Sequence, residues 1–344
     1  MTHRISLQPG GQSFPADADT TLLHAALDAG LMVPYGCRDG ACGACKARVT
    51  QGSVDHGHAP FTTLPETERE AGMALMCCAR AKTDLEMEVR DVRSIHDIPV
   101  RKLPCRVQSL DRLADDVMRL VLRLPPSENF SFLPGQYIDF LLPGGERRSF
   151  SVANTPNPDN QLELHVRLIP GGKFTPQVFT TMKPRDILRI EGPLGSFHLK
   201  DAPEPGVEHP LVLLAGGTGF APLKAIIEDL IARGSQRDIA LYWGARDRAG
   251  LYLHELASSW ETALPGLRYI PVISDETAAD WTGRRGLVHE AVMTDLPDLS
   301  HHQVYACGAP GMIEIAKKDF SERCQLPLTH FYADAFTFSA DARN

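Results

Sequence analysis

Three cysteines within nine residues, Cys37, Cys42 and Cys45, are separated by four and two residues, and Cys77 follows after 31 more. No other feature limits the possible folds of this chain as strongly. Thiolates at that spacing converge on one compact centre. The residues beside them, Gly36, Gly40, Ala41, Gly43 and Ala44, are small enough for a loop to wrap such a centre and aim backbone N–H groups at its sulfurs. This is the ligand spacing of a [2Fe–2S] cluster of the plant type. A structural zinc site or a set of buried thiols are the rival readings, but zinc sites usually pair their cysteines in two knuckles of similar spacing, and the single long loop here lacks the second. Cys78, next to Cys77, is a second candidate for the fourth ligand. Eight cysteines in 344 residues, three of them crowded together, suit a metal site in a reducing compartment better than a disulfide framework.

Around that loop the chain falls into three textures. The first runs to about residue 90. It opens with a strand at Ile5-Ser6-Leu7, then Thr20 as an N-cap, a helix through Leu22-Leu23 and Ala26-Leu27, and Gly30 as its stop. Strands at Ala47 to Thr50 and Leu85 to Val89, apolar at alternate positions, close it. Asp91 to Lys102 mixes charges with Pro99 and carries no sustained period, as a linker would. From Leu103 to Lys200, strands at Val117 to Leu124, Tyr137 to Leu142, Ser149 to Ala153 and Leu162 to Leu168 alternate with Gly and Pro turns, which predicts an antiparallel barrel or sandwich. From Pro210, buried strands at Leu211 to Leu214, Ile239 to Trp243, Tyr269 to Ile273 and Val304 to Ala306 alternate with helical stretches, which predicts a parallel sheet. The expected domains cover residues 1–92, 103–202 and 208–338, with a linker over 93–102.

Two stretches in the second and third regions have chemistry of their own. Leu211 to Leu214 runs into Ala215-Gly216-Gly217-Thr218-Gly219-Phe220-Ala221-Pro222, followed by a helix through Leu223 to Ala232. Strand, glycine turn and helix let backbone approach a phosphate, whose charge the helix N-terminus favours. The same pattern also serves as a plain tight connection, and it is not the full Gly-x-Gly-x-x-Gly fingerprint. Arg148-Ser149-Phe150-Ser151 at a strand end offers a guanidinium whose planar fork can meet phosphate oxygens.

In their order, these segments resemble the ferredoxin–NADP reductase superfamily. The whole chain resembles its iron–sulfur flavoprotein reductases with an N-terminal plant-type ferredoxin domain. Among these are the reductase components of bacterial Rieske dioxygenases and multicomponent monooxygenases, of the benzoate dioxygenase reductase type, and the CDP-6-deoxyglucoseen reductases. The resemblance implies a multidomain α+β and α/β fold: a β-grasp ferredoxin domain, an antiparallel β-barrel FAD domain, and a parallel-sheet α/β nicotinamide nucleotide domain. By it, Leu75-Met76-Cys77 carries the last cluster ligand, so Cys37, Cys42, Cys45 and Cys77 hold the metal. Arg148 grips the FAD pyrophosphate within the motif that includes Ser149, Phe150 stacks on the isoalloxazine, and Ser151 hydrogen-bonds flavin N5. Phenylalanine replaces the usual tyrosine, so stacking is kept and a phenolic hydrogen bond is lost. Gly171-Gly172-Lys173-Phe174-Thr175 resembles the second diphosphate segment, with Thr175 where serine is commoner, and Gly192-Pro193-Leu194-Gly195 the turn that ends the barrel. Gly216, Gly217, Thr218, Gly219 and Pro222 belong to the nucleotide turn. Cys307-Gly308-Ala309-Pro310-Gly311-Met312 resembles the Cys-Gly-x-Pro-x-Met loop, in which Cys307 flanks the site of hydride transfer without attacking anything. Arg246 would meet the adenosine ribose or phosphate, and Phe336 would shield the flavin ring.

The implied activity is NAD(P)H-dependent electron transfer: hydride to FAD, then single electrons through the cluster to a separate acceptor protein, an oxygenase component or a deoxysugar dehydrase. Flavin joins the other two parts because it accepts two electrons and releases them one at a time. Asp247 would repel a 2′-phosphate while Arg246 and Arg248 would welcome one, which leaves NADH and NADPH both open with a lean to NADH. The alternative is an oxidoreductase with its own small-molecule acceptor, whose ferredoxin domain serves docking or sensing. A net charge of −8 argues against nucleic acid, and the absence of a long apolar run argues against a membrane span and for the cytoplasm. Cys105, Cys324, the pair His56 and His58, and His301-His302 have no ligand spacing and read as structural or surface residues.

Overall fold

The structure, a computed structural model, describes residues 1–89, 92–94, 98–128, 130–200, 208–275 and 281–336. It divides into two compact units. Met1–Val100 with Leu194–Phe197 forms one, and the remaining residues form the other.

In the first unit a five-stranded sheet runs in the order Ser13–Asp17, Thr2–Gln8, Leu85–Glu88, Lys46–Gln51, Met73–Leu75. Thr2–Gln8 and Leu85–Glu88 are parallel and the other pairs antiparallel, the mixed sheet of a β-grasp fold. Ile5, Leu7, Leu85 and Met87, apolar at alternate positions, are buried, together with Leu22, Leu23, Ala25 and Ala26 from the helix Leu22–Asp28. Thr21 is the N-cap, not Thr20: its Oγ1 accepts from the N–H of His24 at 3.4 Å, whereas the N–H of Thr20 closes a turn on the Asp17 carbonyl. Gly30 ends the helix at φ +78°, a conformation that costs glycine nothing. Residues 95–97 of the expected linker, and the expected domain ends at 202 and 338, lie outside the described residues. Arg93–Ser94 pairs with Leu31–Met32, and Arg101 already belongs to the next strand.

The second unit contains two sheets. One has the strand order Arg147–Ser151, Tyr137–Leu141, Ile187–Leu194, Arg101–Ala114, Val117–Arg123, Gln161–Arg167. Its two ends meet through an antiparallel bridge between Val152 and Leu164, so the sheet closes on itself as a barrel and its end strands gain partners. Leu103, Leu120, Leu122, Ile138, Phe140, Leu164, Val166 and Ile190 fill it. The strands Arg101–Ala114 and Ile187–Leu194 were not anticipated: Pro104 and the charged exposed positions blur the alternation of the first, and Gly192-Pro193 that of the second.

The other sheet has six strands, all parallel: Arg284–Arg285, Leu267–Ile273, Ile239–Ala245, Leu211–Gly216, Gln303–Gly308, Phe331–Ala335. The chain winds outward from Leu211–Gly216 in one direction and then resumes on its other side with Gln303–Gly308. The order reverses between these two strands, and a crevice at the carboxyl end of such a reversal is where open α/β sheets bind ligands. No helix among the described residues is long and apolar enough to cross a membrane.

Candidate active site

In the cysteine loop the sulfurs fall into two pairs. The Cys45 and Cys77 sulfurs are 3.2 Å apart. Cys37 and Cys42 exchange backbone contacts, the N–H of Cys37 reaching Cys42 Sγ at 3.4 Å and the N–H of Cys42 reaching Cys37 Sγ at 3.3 Å. The N–H groups of Ala44 and Cys77 point at the sulfurs of Cys42 and Cys45, each at 3.5 Å. Among the described residues no three His, Cys, Asp or Glu side chains gather on one point as a single ion would require. Four sulfurs in two pairs, lined by amide donors, are a donor set that fits an anionic [2Fe–2S] cluster. Cys37 and Cys42 are half-buried; Cys45 and Cys77 are buried.

The Cys78 sulfur lies 3.6 Å from that of Cys77 and 3.5 Å from His58 Nε2, so His58 has a contact that its sequence position did not suggest. A Cβ on Gly40 would stand 2.8 Å from Cys78 Sγ, at φ +86°. Glycine at position 40 therefore leaves room for the Cys78 sulfur beside the loop.

Strand pairing sorts the Arg-x-Phe-Ser residues onto two faces of Arg147–Ser151. Arg148 and Phe150 lie opposite Phe140 and Ile138; Ser149 and Ser151 lie opposite Asp139 and Tyr137. Arg148 donates to Glu146 at 3.1 Å, and Lys173, from the second expected phosphate segment, reaches the same carboxylate. The Lys173 hydrogen bond, with the charges of Lys173 and Arg148, holds the Glu146 carboxyl below its ordinary range. Two cations, a half-buried Phe150 ring resting on Phe140 and Phe174 at 5.7 and 5.6 Å, and a glycine turn at Gly171-Gly172 make a cradle suited to a diphosphate attached to an aromatic ring. The Thr175 hydroxyl is occupied within that turn, accepting from the Ile169 N–H at 2.9 Å.

At the sheet reversal, Gly216 and the 3-10 turn Gly217–Gly219 press against the end of Gln303–Gly308. A Cβ on Gly219 would fall 2.0 Å from the Cys307 carbonyl oxygen, and one on Gly308 3.1 Å from Gly216 Cα. The glycines thus bring two strand ends into backbone contact, and the helix Phe220–Ala232 follows directly. Thr218 is buried. Pro222 lies in the first turn of Phe220–Ala232, and Pro310 opens the helix Pro310–Arg323. Cys307 is fully buried, and burial, reinforced by Asp334, pushes its thiol well above the usual value, so it stays neutral. The Phe336 N–H donates to the Gly308 carbonyl at 2.8 Å, which brings the C-terminal segment to the same crevice. Arg246 stands apart: its side chain is 88% exposed and, among the described residues, its ion pair is to Asp247 at 3.7 Å.

Three domain profiles match in the same order: a 2Fe-2S iron-sulfur cluster binding domain over residues 5–82, an oxidoreductase FAD-binding domain over 104–199, and an oxidoreductase NAD-binding domain over 213–318. The chain is 40% identical over 336 residues, 98% of its length and 99% of the relative's, to CDP-6-deoxy-L-threo-D-glycero-4-hexulose-3-dehydrase reductase of Yersinia pestis. It belongs to the ferredoxin–NADP reductase-like iron–sulfur flavoprotein reductases. A terephthalate 1,2-dioxygenase reductase component of Comamonas is 36% identical, covering 98% of each chain. Among solved structures, Amycolatopsis cytochrome P450 reductase GcoB superposes with a TM-score of 0.79 at 37% identity, covering 98% of this chain and 99% of that one.

As a member of these reductases, the chain is an NAD(P)H-dependent oxidoreductase with FAD and a [2Fe–2S] cluster. Two parts of its site had not been anticipated. Asp334 Oδ2 accepts from Ser151 Oγ at 3.4 Å, across 183 residues of chain. Burial raises this carboxyl from 3.8 to about 6, opposed only by Ser151. Lys224, whose side chain is 6% exposed, donates to the Ala153 carbonyl at 2.9 Å and pairs with Glu163 at 3.3 Å and Glu228 at 2.8 Å. Glu163 also meets His165 Nε2 at 2.9 Å, and His165 Nδ1 meets the Tyr252 hydroxyl at 3.0 Å. Burial works to raise Glu163, but His165 and Lys224 outweigh it and hold the carboxyl low; burial pushes His165 down. This network ties the helix after the glycine turn to the barrel strand Gln161–Arg167. A lysine inside an otherwise apolar helix, Phe220 to Ile227, was the available signal.

Proposed function

We propose that this reductase draws hydride from a nicotinamide nucleotide, NADH by preference, and delivers single electrons to a separate acceptor protein of the oxygenase or dehydrase class. The observation that carries the reading is end-to-end likeness, over 98% of the chain, to reductases named for a separate dehydrase or dioxygenase. Residues 1–92 serve the cluster, 103–202 the flavin and 208–338 the nucleotide, in the cytoplasm, where eight free cysteines suit the reducing conditions.

Bound together, FAD and the cluster supply a two-electron carrier joined to a one-electron carrier. Cys37 and Cys42 would hold one iron and Cys45 and Cys77 the other, with Cys78 outside the ligand set. Arg148 and Lys173 would hold the FAD diphosphate, with Glu146 balancing their charge, and Ser149 would keep its strand in register through its 2.6 Å hydrogen bond to Asp139. Gly172, Phe174 and Thr175 would shape the second phosphate turn, and Phe150 would support the ring. Asp334, with its pKa near 6, can hold or release a proton at Ser151 Oγ close to neutral pH. Gly216 to Gly219, Pro222, Cys307, Gly308 and Pro310 would seat the nicotinamide half, and the neutral Cys307 thiol would act by shape. Phe336 would cover the ring. Arg246 would meet the adenosine ribose, and the Asp247 carboxylate beside it favours a nucleotide without a 2′-phosphate.

The test is an anaerobic visible spectrum during addition of NADH and then NADPH, followed by exposure of the reduced protein to cytochrome c as a protein electron acceptor. Bleaching of flavin and cluster bands together, with cytochrome c reduction that a Cys45→Ser variant loses, is expected. Reduction of flavin alone, or cytochrome c reduction unaffected by loss of the cluster, would overturn the electron path in favour of an oxidoreductase with its own small-molecule acceptor.

A further inference from the structure

Trp243 stands in the strand Ile239–Ala245, in register with Ala215, the residue before Gly216 on the neighbouring strand. It is fully buried, so the polar edge of its indole needs a partner inside the protein. That partner is the glycine turn: the indole N–H donates to the Gly217 carbonyl at 2.9 Å. The same carbonyl accepts from the Phe220 N–H where the helix opens. Gly217 sits at φ +53°, and a peptide next to so permissive a residue can turn over at little cost. The indole holds it one way.

The indole is itself held in place. Phe220 stacks on it with ring centroids 3.8 Å apart and planes 5° from parallel, and Tyr252 meets it edge-on at 5.1 Å and 86°. Tyr252 is anchored in turn by its hydroxyl, 3.0 Å from His165 Nδ1. In a planar trans peptide the carbonyl and the following N–H point in opposite directions. Fixing the Gly217 carbonyl on Trp243 therefore turns the Thr218 N–H away from the aromatic cluster. Thr218 lies in the first turn before the helix Phe220–Ala232, where amide donors are available to an anion.

Resting on the reading of this turn as the nucleotide seat, we propose that Trp243 is a positioning residue for the nicotinamide nucleotide: its indole N–H fixes the Gly217–Thr218 peptide so that the Thr218 amide is presented to the diphosphate. Trp243 touches no part of the nucleotide and acts through the turn. Because the diphosphate is common to NADH and NADPH, Trp243 contributes affinity without choosing between them. The amide contact is the same before and during hydride transfer, so its loss weakens binding and spares the rate at saturation.

The FAD-loaded protein and its Trp243→Phe, Phe220→Leu and Thr218→Pro variants are titrated calorimetrically with ADP-ribose and with 2′-phospho-ADP-ribose. Anaerobic stopped-flow reduction of the flavin by NADH gives the half-saturating concentration and the saturated rate, and flavin absorbance gives FAD content. Trp243→Phe keeps an aromatic ring and removes the donor. It is expected to weaken both ligands by the same factor, about 3- to 10-fold, and to raise half-saturating NADH to match, with saturated rate and FAD content retained. Thr218→Pro, which deletes the amide itself, should weaken both ligands at least as much. Unchanged affinity in Trp243→Phe would overturn the assignment. So would an equal loss in Phe220→Leu, which disturbs the packing but leaves the indole N–H in place. If Thr218→Pro weakens ADP-ribose and Trp243→Phe does not, only the tryptophan's role falls; if neither matters while the parent protein binds, the turn is not the seat and both readings fall.

Discussion

Cys37, Cys42 and Cys45 come from one nine-residue stretch and only Cys77 arrives from elsewhere, whereas in the second unit Ser151, Gly217, Cys307 and Asp334 come from four separate strand ends. The cysteine loop sets its geometry largely by local backbone: amides two to five residues away point at its sulfurs. The strand-end crevice sets its geometry by packing, through glycines that let strands touch, a buried lysine, and a carboxyl that meets a serine from the other sheet. The loop should therefore be sensitive to the identity of its ligands and tolerant of distant change. The crevice should respond to changes in residues that touch no cofactor.

The largest effect expected is at the loop. Cys45→Ser should abolish the cluster's visible absorbance and leave flavin reduction by NADH intact, while Cys78→Ser should keep the cluster; loss of the cluster in Cys78→Ser would mean the two thiols are assigned the wrong way round. In the crevice, Lys224→Met leaves Glu163 and Glu228 without their cation in a buried setting, and should cost about 3–5 kcal/mol in denaturant unfolding of the second unit. Undiminished stability would show that the network does not tie helix to barrel. Asp334→Asn tests the seam between the two sheets through pH. The folded carboxyl titrates at about 6 instead of 3.8, so its contribution is fully present below the unfolded pKa and is lost as pH rises through 6. The variant should flatten the stability profile over that window and gain up to about 3 kcal/mol relative to the parent at neutral pH. An unchanged profile would show that Asp334 titrates as an ordinary carboxyl. Gly219→Ala forces a Cβ toward the Cys307 carbonyl, and displacement of the strand ends by about 1 Å should slow NADH-dependent flavin reduction about 10²-fold with the cluster spectrum unchanged.

The same contrast governs what could be read in advance. The cluster loop was legible because its spacing is a local property, and the three folds were legible because hydrophobic period changes from two to that of buried strands with helices between them. Arg148, Gly217 and Cys307 could be singled out because each sits in a contiguous motif. Thr175 fell in such a motif too, yet its hydroxyl serves the turn's own backbone, a commitment that only the turn's conformation reveals. Asp334 sat within a segment that had been singled out for Phe336, and nothing local marked its carboxylate as buried.

The sequence by itself determined the order of the three domains, the cofactors and the residues that name them, because ligand spacing and turn chemistry are written between near neighbours. The tertiary structure decided which sulfurs pair, that Glu146 sits between Arg148 and Lys173, and that Asp334 meets Ser151. The physical reason is that burial, pKa and ion pairing depend on which atoms meet in space, and in the crevice the meeting groups stand up to 183 residues apart along the chain.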